Sequence, residues 1–91
     1  MLAVALRCLP MAEKIQEFKH DLVASDGSTF VARAFADRRG NIWIGWLEFE
    51  SPDGRILRTG EETSQPSRDA VAYWASGLGR IYLEGALGRA K

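Results

Sequence analysis

The sequence predicts an α+β domain: an antiparallel sheet of three to four strands in a meander, a C-terminal helical segment packed on one face, and a short N-terminal helix. Three observations carry this expectation. Residues 29–37 and 42–50 alternate at period two, and the second run is rich in β-branched and aromatic side chains. Polar turns separate the extended runs and make neighbouring strands antiparallel. Val71, Trp74, Ala75 and Leu78 then recur at i, i+3, i+4 and i+7, the spacing of one helix face.

Taken in order, Met11, Ile15, Phe18 and Leu22 sit four, three and four residues apart, with Glu13, Lys14, Gln16, Glu17 and Lys19 between them. That pattern predicts the N-terminal helix. Asp26-Gly27 is a hairpin turn signal, which offers a competing strand at residues 20–25 and ends the helix near Phe18. The first strand of the meander turns Phe30, Ala32, Ala34 and Ala36 one way and Val31, Arg33 and Phe35 the other. Arg38-Arg39-Gly40-Asn41 is a turn, residues 42–50 are the strongest strand, and Ser51-Pro52-Asp53-Gly54 is a second turn. Residues 55–59 form the next strand. Ser67 is the expected N-cap of the following helix, Asp69 suits its dipole, and Gly77 is the expected left-handed residue past its end, with Leu78 folding back on Tyr73. Residues 80–90 read as a second short helix, although Ile81-Tyr82-Leu83 also fits a strand.

Composition bounds the rest. The chain has 91 residues, room for one domain, and 46% hydrophobic with 26% charged residues argues for a packed core. Lys plus Arg number 12 and so do Asp plus Glu; residues 1–60 hold eight of each sign and residues 61–91 four of each. No segment is a basic stripe, which argues against nucleic acid as a partner. Cys8 is the only cysteine, so it reads as a reduced free thiol, and the sequence calls for no metal or other cofactor. No apolar run approaches the roughly 18 residues of a membrane span. The start lacks a basic region and its apolar stretch is broken by Arg7, so it is a poor signal peptide. The expected location is the cytoplasm. Residues 1–10 are expected to be a poorly ordered leader or an over-called gene start, and residues 11–91 the domain.

The strongest strand is apolar on both sides. Trp43, Gly45, Leu47 and Phe49 point one way, toward the Val71–Leu78 helix face, with Gly45 allowing close approach. Ile42, Ile44 and Trp46 point the other way. A half-exposed antiparallel strand would alternate apolar with polar residues. Something must therefore cover Ile42, Ile44 and Trp46: the N-terminal helix, a second copy in a two-fold dimer, or a partner or ligand.

Candidate chemical groups are few. His20 has no nucleophile at a motif spacing and reads as a solvated side chain. Glu61 and Glu62 are an acidic pair on a loop, which reads as solvated charge. Arg58, Glu61, Thr63 and Gln65 form a polar cluster before the helix, either an anion site or a set of capping groups. Gly77-Leu78-Gly79 follows a helix and lacks the phosphate-loop pattern. The tryptophans and tyrosines read as core rather than as stacking platforms for bases. Glu84, if buried, needs a partner such as Arg58 or Arg80.

Gly45-Trp46-Leu47-Glu48-Phe49, Arg58-Thr59-Gly60-Glu61-Glu62-Thr63, Gln65-Pro66, Tyr73-Trp74-Ala75, Gly77-Leu78 and Tyr82-Leu83-Glu84-Gly85-Ala86-Leu87 together resemble a family of small uncharacterised bacterial proteins. The resemblance spans about residues 28–90. It implies a bacterial, cytoplasmic, stand-alone domain and carries no activity or site residue.

The leading expectation is a non-enzymatic interaction or regulatory domain, working through Ile42, Ile44 and Trp46 and joined to a second copy or another protein. Two other classes stay open. One is a nucleic-acid-binding module using sheet aromatics with Arg33, Arg38, Arg39 and Arg55; the other is a small enzyme with its site at the 58–65 loop.

Overall fold

The computed structural model describes residues 12–91. The expected leader, Cys8 and Met11 lie outside the described residues. Five strands form one antiparallel sheet: β1 (Glu13–Val23), β2 (Thr29–Arg39), β3 (Ile42–Glu50), β4 (Ile56–Arg58) and β5 (Thr63–Gln65). The spatial order is β1-β2-β3-β4, with β5 also on the outer edge of β3. Two helices follow, α1 (Arg68–Ser76) and α2 (Arg80–Arg89). The α+β class and the antiparallel meander are as expected, with five strands in place of three or four. Residues 80–89 are helical, the favoured reading.

The N-terminal helix is a correction: residues 13–23 are strand β1. The register with β2 explains the misleading spacing. Lys14 opposes Phe35 and Gln16 opposes Ala34, so Ile15 is an extra residue; Glu17 opposes Arg33 and Asp21 opposes Val31, so two more are inserted there. Each insertion stretches the period of two. Ile15, Phe18 and Leu22 all reach the core from a strand, at intervals of three and four. Lys14 and Glu17 share the opposite face, their side chains 3.0 Å apart. The irregularities also leave this long edge ill suited to pairing with another strand. His20 lies in the second of them and is exposed.

Turn chemistry sets the hairpins. Ala24 and Ser51 open three-residue loops that close the same way, with N–H groups of Gly27 and Gly54 donating back to the Ala24 and Ser51 carbonyls at 2.9 Å. Gly27 and Gly54 adopt φ of 90° and 89°, a conformation that costs other residues about 1 kcal/mol or more. Asp26 and Asp53 accept hydrogen bonds from Ser28 and Ser51, which hold both carboxyls below the usual carboxylate range. Between β2 and β3 the loop is only Gly40-Asn41.

Residues 59–62 separate β4 from β5, yet the outer edge of β3 stays satisfied. The Thr59 N–H donates to the Leu47 carbonyl at 2.9 Å and the Glu62 N–H to the Gly45 carbonyl at 2.8 Å. The Leu47 N–H donates to the Thr59 hydroxyl at 3.0 Å, so a buried side chain replaces the missing ladder carbonyl. Thr59→Val keeps the shape and removes that acceptor. The expected result is a loss of about 1–3 kcal/mol, read from the urea midpoint, with Thr59→Ser recovering most of it.

Both helices pack on one face of the sheet. Phe18, Leu22, Phe30, Ala32, Ala34, Leu47 and Phe49 meet Ala75, Leu83, Ala86 and Leu87 there. A Cβ on Gly45 would lie 2.7 Å from Val71 Cγ1 and 3.2 Å from Trp74 Cζ3, so the expected close approach is real. Ser67 caps α1, accepting from the Ala70 N–H at 3.1 Å. Gly77 is not left-handed, contrary to expectation: its φ is −95°. The N–H groups of Gly77 and Leu78 donate to the Trp74 and Ala75 carbonyls, and this tightened last turn needs no positive φ. Leu78 packs on the core. Lys91 pairs through its main chain with Arg58 and covers the outer edge of β4.

Candidate interaction face

With both helices on one side, the other face of the sheet carries alternate residues of every strand. The register lays them out in rows. Phe35 opposes Trp46, and their rings stack with centroids 6.0 Å apart and planes 14° apart. Beside this pair lie Ile44, opposite Asp37, and Ile42, opposite Arg39. Ile42 is 38% exposed, whereas Ile44 is 6% exposed and forms the floor of the strip. Among the described residues no helix covers it, because residues 13–23, expected to be helical, are β1 itself.

Phe35, Ile44 and Trp46 of the strip line a groove of about 540 Å³, walled by Asp37, Arg39, Glu48, Arg58 and Glu61. Trp46 Nε1 is buried and has no hydrogen-bond partner among the described residues. A buried N–H without an acceptor is costly, so an incoming acceptor would gain there.

The next row is ionic. Glu17, Arg33, Glu48 and Arg58 oppose one another in turn across β1, β2, β3 and β4. Arg58 Nη2 lies 2.8 Å from Glu48, Arg33 Nη1 lies 2.8 Å from Glu50, and Arg33 Nε lies 3.7 Å from Glu17. The hydrogen bond and charge of Lys14, with help from Arg33, hold the Glu17 carboxyl below its ordinary value. One face thus joins an aromatic and aliphatic strip to a row of alternating charge.

No protein-family model, curated protein or solved structure matches this chain.

The polar cluster of residues 58–65 is divided by the sheet. Arg58 and Glu61 border the groove. Thr63 and Gln65 lie on the helix side, where Gln65 Nε2 donates to the Thr63 hydroxyl at 2.8 Å and Thr63 Cγ2 crowds Gly45. The four do not converge on one point. Glu61 is exposed, while the Glu62 side chain is only 10% exposed, accepting from the Tyr82 hydroxyl and from Arg89 Nη2 at 2.6 Å. Burial and the Glu62 carboxylate both push the Tyr82 phenol up. Glu62 thus ties the loop to α2.

The four arginines of the nucleic-acid alternative are also dispersed. Arg33 pairs with Glu50 and Arg39 with Asp37. Arg38 donates to the Gly40 carbonyl, and Arg55 lies over the Phe30 ring at 5.3 Å. Glu84 is half exposed and pairs with Arg80 at 3.6 Å. Among the described residues, no group of three or more His, Cys, Asp or Glu is placed to hold a metal ion, and no helix is long and apolar enough to cross a membrane.

Sequence reasoning found Ile42, Ile44 and Trp46 but missed Phe35 as part of the same face. Its alternation with Ala34 and Ala36 was the available signal. The charged row had none, since strand register decides it.

Proposed function

We propose that the protein is a non-enzymatic interaction domain that binds another macromolecule through the sheet face opposite its helices. One observation carries this: the Phe35–Trp46 stack and Ile44 line a groove, bordered by charge, on a face that no helix covers among the described residues. Apolar patches rimmed by polar groups mark interaction sites. The resemblance to small bacterial proteins supports a setting in the bacterial cytoplasm.

Trp46→Glu tests the proposal. The variant is expected to fold, with the far-UV circular dichroism of the wild type, because Trp46 lies outside the helix-side core. It is expected to lose the associations the wild type makes, read by light scattering of the purified chain and by cross-linking in cells. A folded variant that keeps its assembly and all its cross-links would sink the proposal.

A further inference from the structure

Resting on that reading of the face, we infer that the occupant is a second copy of this chain, related by a two-fold axis parallel to the strands. The charged row points to it. A two-fold axis between two facing sheets, parallel to their strands, preserves each row and reverses the strand order. The row Glu17, Arg33, Glu48, Arg58 reads minus, plus, minus, plus across the sheet. Reversed, it reads plus, minus, plus, minus. Every charge therefore faces its opposite: Glu17 meets Arg58 of the second copy, and Arg33 meets Glu48 of the second copy. The neighbouring row behaves in kind. Phe35 meets Trp46 of the second copy, so two stacked pairs become one cluster of four rings.

A row of a single sign would repel its own image under the same rotation. An alternating row of even length is complementary to itself, the condition for a two-fold interface. The size is also adequate. Four strands about 4.8 Å apart, over roughly nine residues at about 3.3 Å each, give a face of roughly 600 Å². Two such faces reach about 1,200 Å², where specific interfaces begin. Facing sheets align within about 30°, which keeps the two central columns, Arg33 with Glu48 and Phe35 with Trp46, in register.

A charge swap in the full chain separates this arrangement from others. Glu17 and Arg58 stand three strand spacings apart within one chain, about 14 Å, with Arg33 and Glu48 between them. They meet only across the axis. Arg58→Glu sets two glutamates against each other, and Glu17→Arg sets two arginines against each other. Each is expected to weaken the dimer by about tenfold or more. Glu17→Arg combined with Arg58→Glu makes the row plus, plus, minus, minus, which is again its own complement, and is expected to restore the wild-type dimer. Light scattering over a concentration series reads the mass of each variant, with circular dichroism confirming the fold. Arg58 is largely exposed, so its reversal leaves the core untouched.

A wild type that is monomeric throughout overturns the inference. So does a double variant as weak as the single ones. A photo-reactive amino acid at position 42 then separates the two levels. Cross-links in cells to a different protein leave the interaction face standing and remove the dimer; no cross-link removes both.

Discussion

Phe49→Ala is expected to destabilise the domain by about 3–5 kcal/mol, the largest effect of any substitution considered. Phe49 is fully buried on the helix side of β3, in one cluster with Leu47, Ala32 and Leu83. Truncation removes the whole phenyl ring from the place where sheet and helices meet. The backbone around it is held by β2 on one side, at Ala32, and by β4 on the other, at Leu57. The site therefore cannot collapse to fill the void. Domains of this size have total stabilities of about 5–15 kcal/mol, so a large part of the margin would go. The urea midpoint reads the loss. Phe35→Ala, on the opposite face of the neighbouring strand, is expected to cost far less in dilute solution, since Phe35 is only half buried.

Gly45→Ala is expected to be the next most damaging change, and it adds atoms instead of removing them. The new methyl would sit 2.7 Å from Val71 Cγ1, 3.0 Å from Thr63 Cγ2 and 3.2 Å from Trp74 Cζ3. None of these is the loose end of a long side chain. Val71 is fully buried on α1, and Thr63 is fixed on β5. Either α1 lifts from the sheet or β5 peels from β3. Overpacking of this kind costs typically 1–3 kcal/mol, a fall in Tm of roughly 4–8 °C per kcal/mol for a domain this short. Val71→Ala in the same chain removes the closest clash and is expected to recover part of the loss. An unchanged Tm for Gly45→Ala would mean that α1 does not rest on β3.

These two residues show how much was legible in the sequence. Gly45 and Phe49 share one face of a strand whose period of two is plain, and α1 has a helical stripe of matching character. Sheet, helix and contact all follow from local pattern. The second apolar face was legible for the same reason, because Ile42, Ile44 and Trp46 break the alternation that a solvated face requires. β1 was not legible. Its irregularities put Ile15, Phe18 and Leu22 at the intervals of a helix, and only pairing with β2 shows them to be a strand. β5 is three residues long and polar, and its Thr63 side chain sits close against Gly45 of β3. The row Glu17, Arg33, Glu48, Arg58 depends on the register of four strands at once, including those same irregularities. Residues 58–65 read as one polar cluster because they are neighbours in sequence, but residues 59–62 break the run between β4 and β5, so no single alternation carries through it. Arg58 and Glu61 went to the groove, and Thr63 and Gln65 to the helix side.

The central claim is that the sheet has two working faces, one packed under helices and one that binds a second copy. Thermal melts of the wild type and of Trp46→Glu, each at low and high protein concentration, test it most directly. Association that favours the folded state makes Tm depend on concentration. The account predicts that the wild-type Tm rises with concentration, while Trp46→Glu folds and melts at the same temperature in both samples. A wild-type Tm that ignores concentration, or a Trp46→Glu chain that cannot fold, would contradict it.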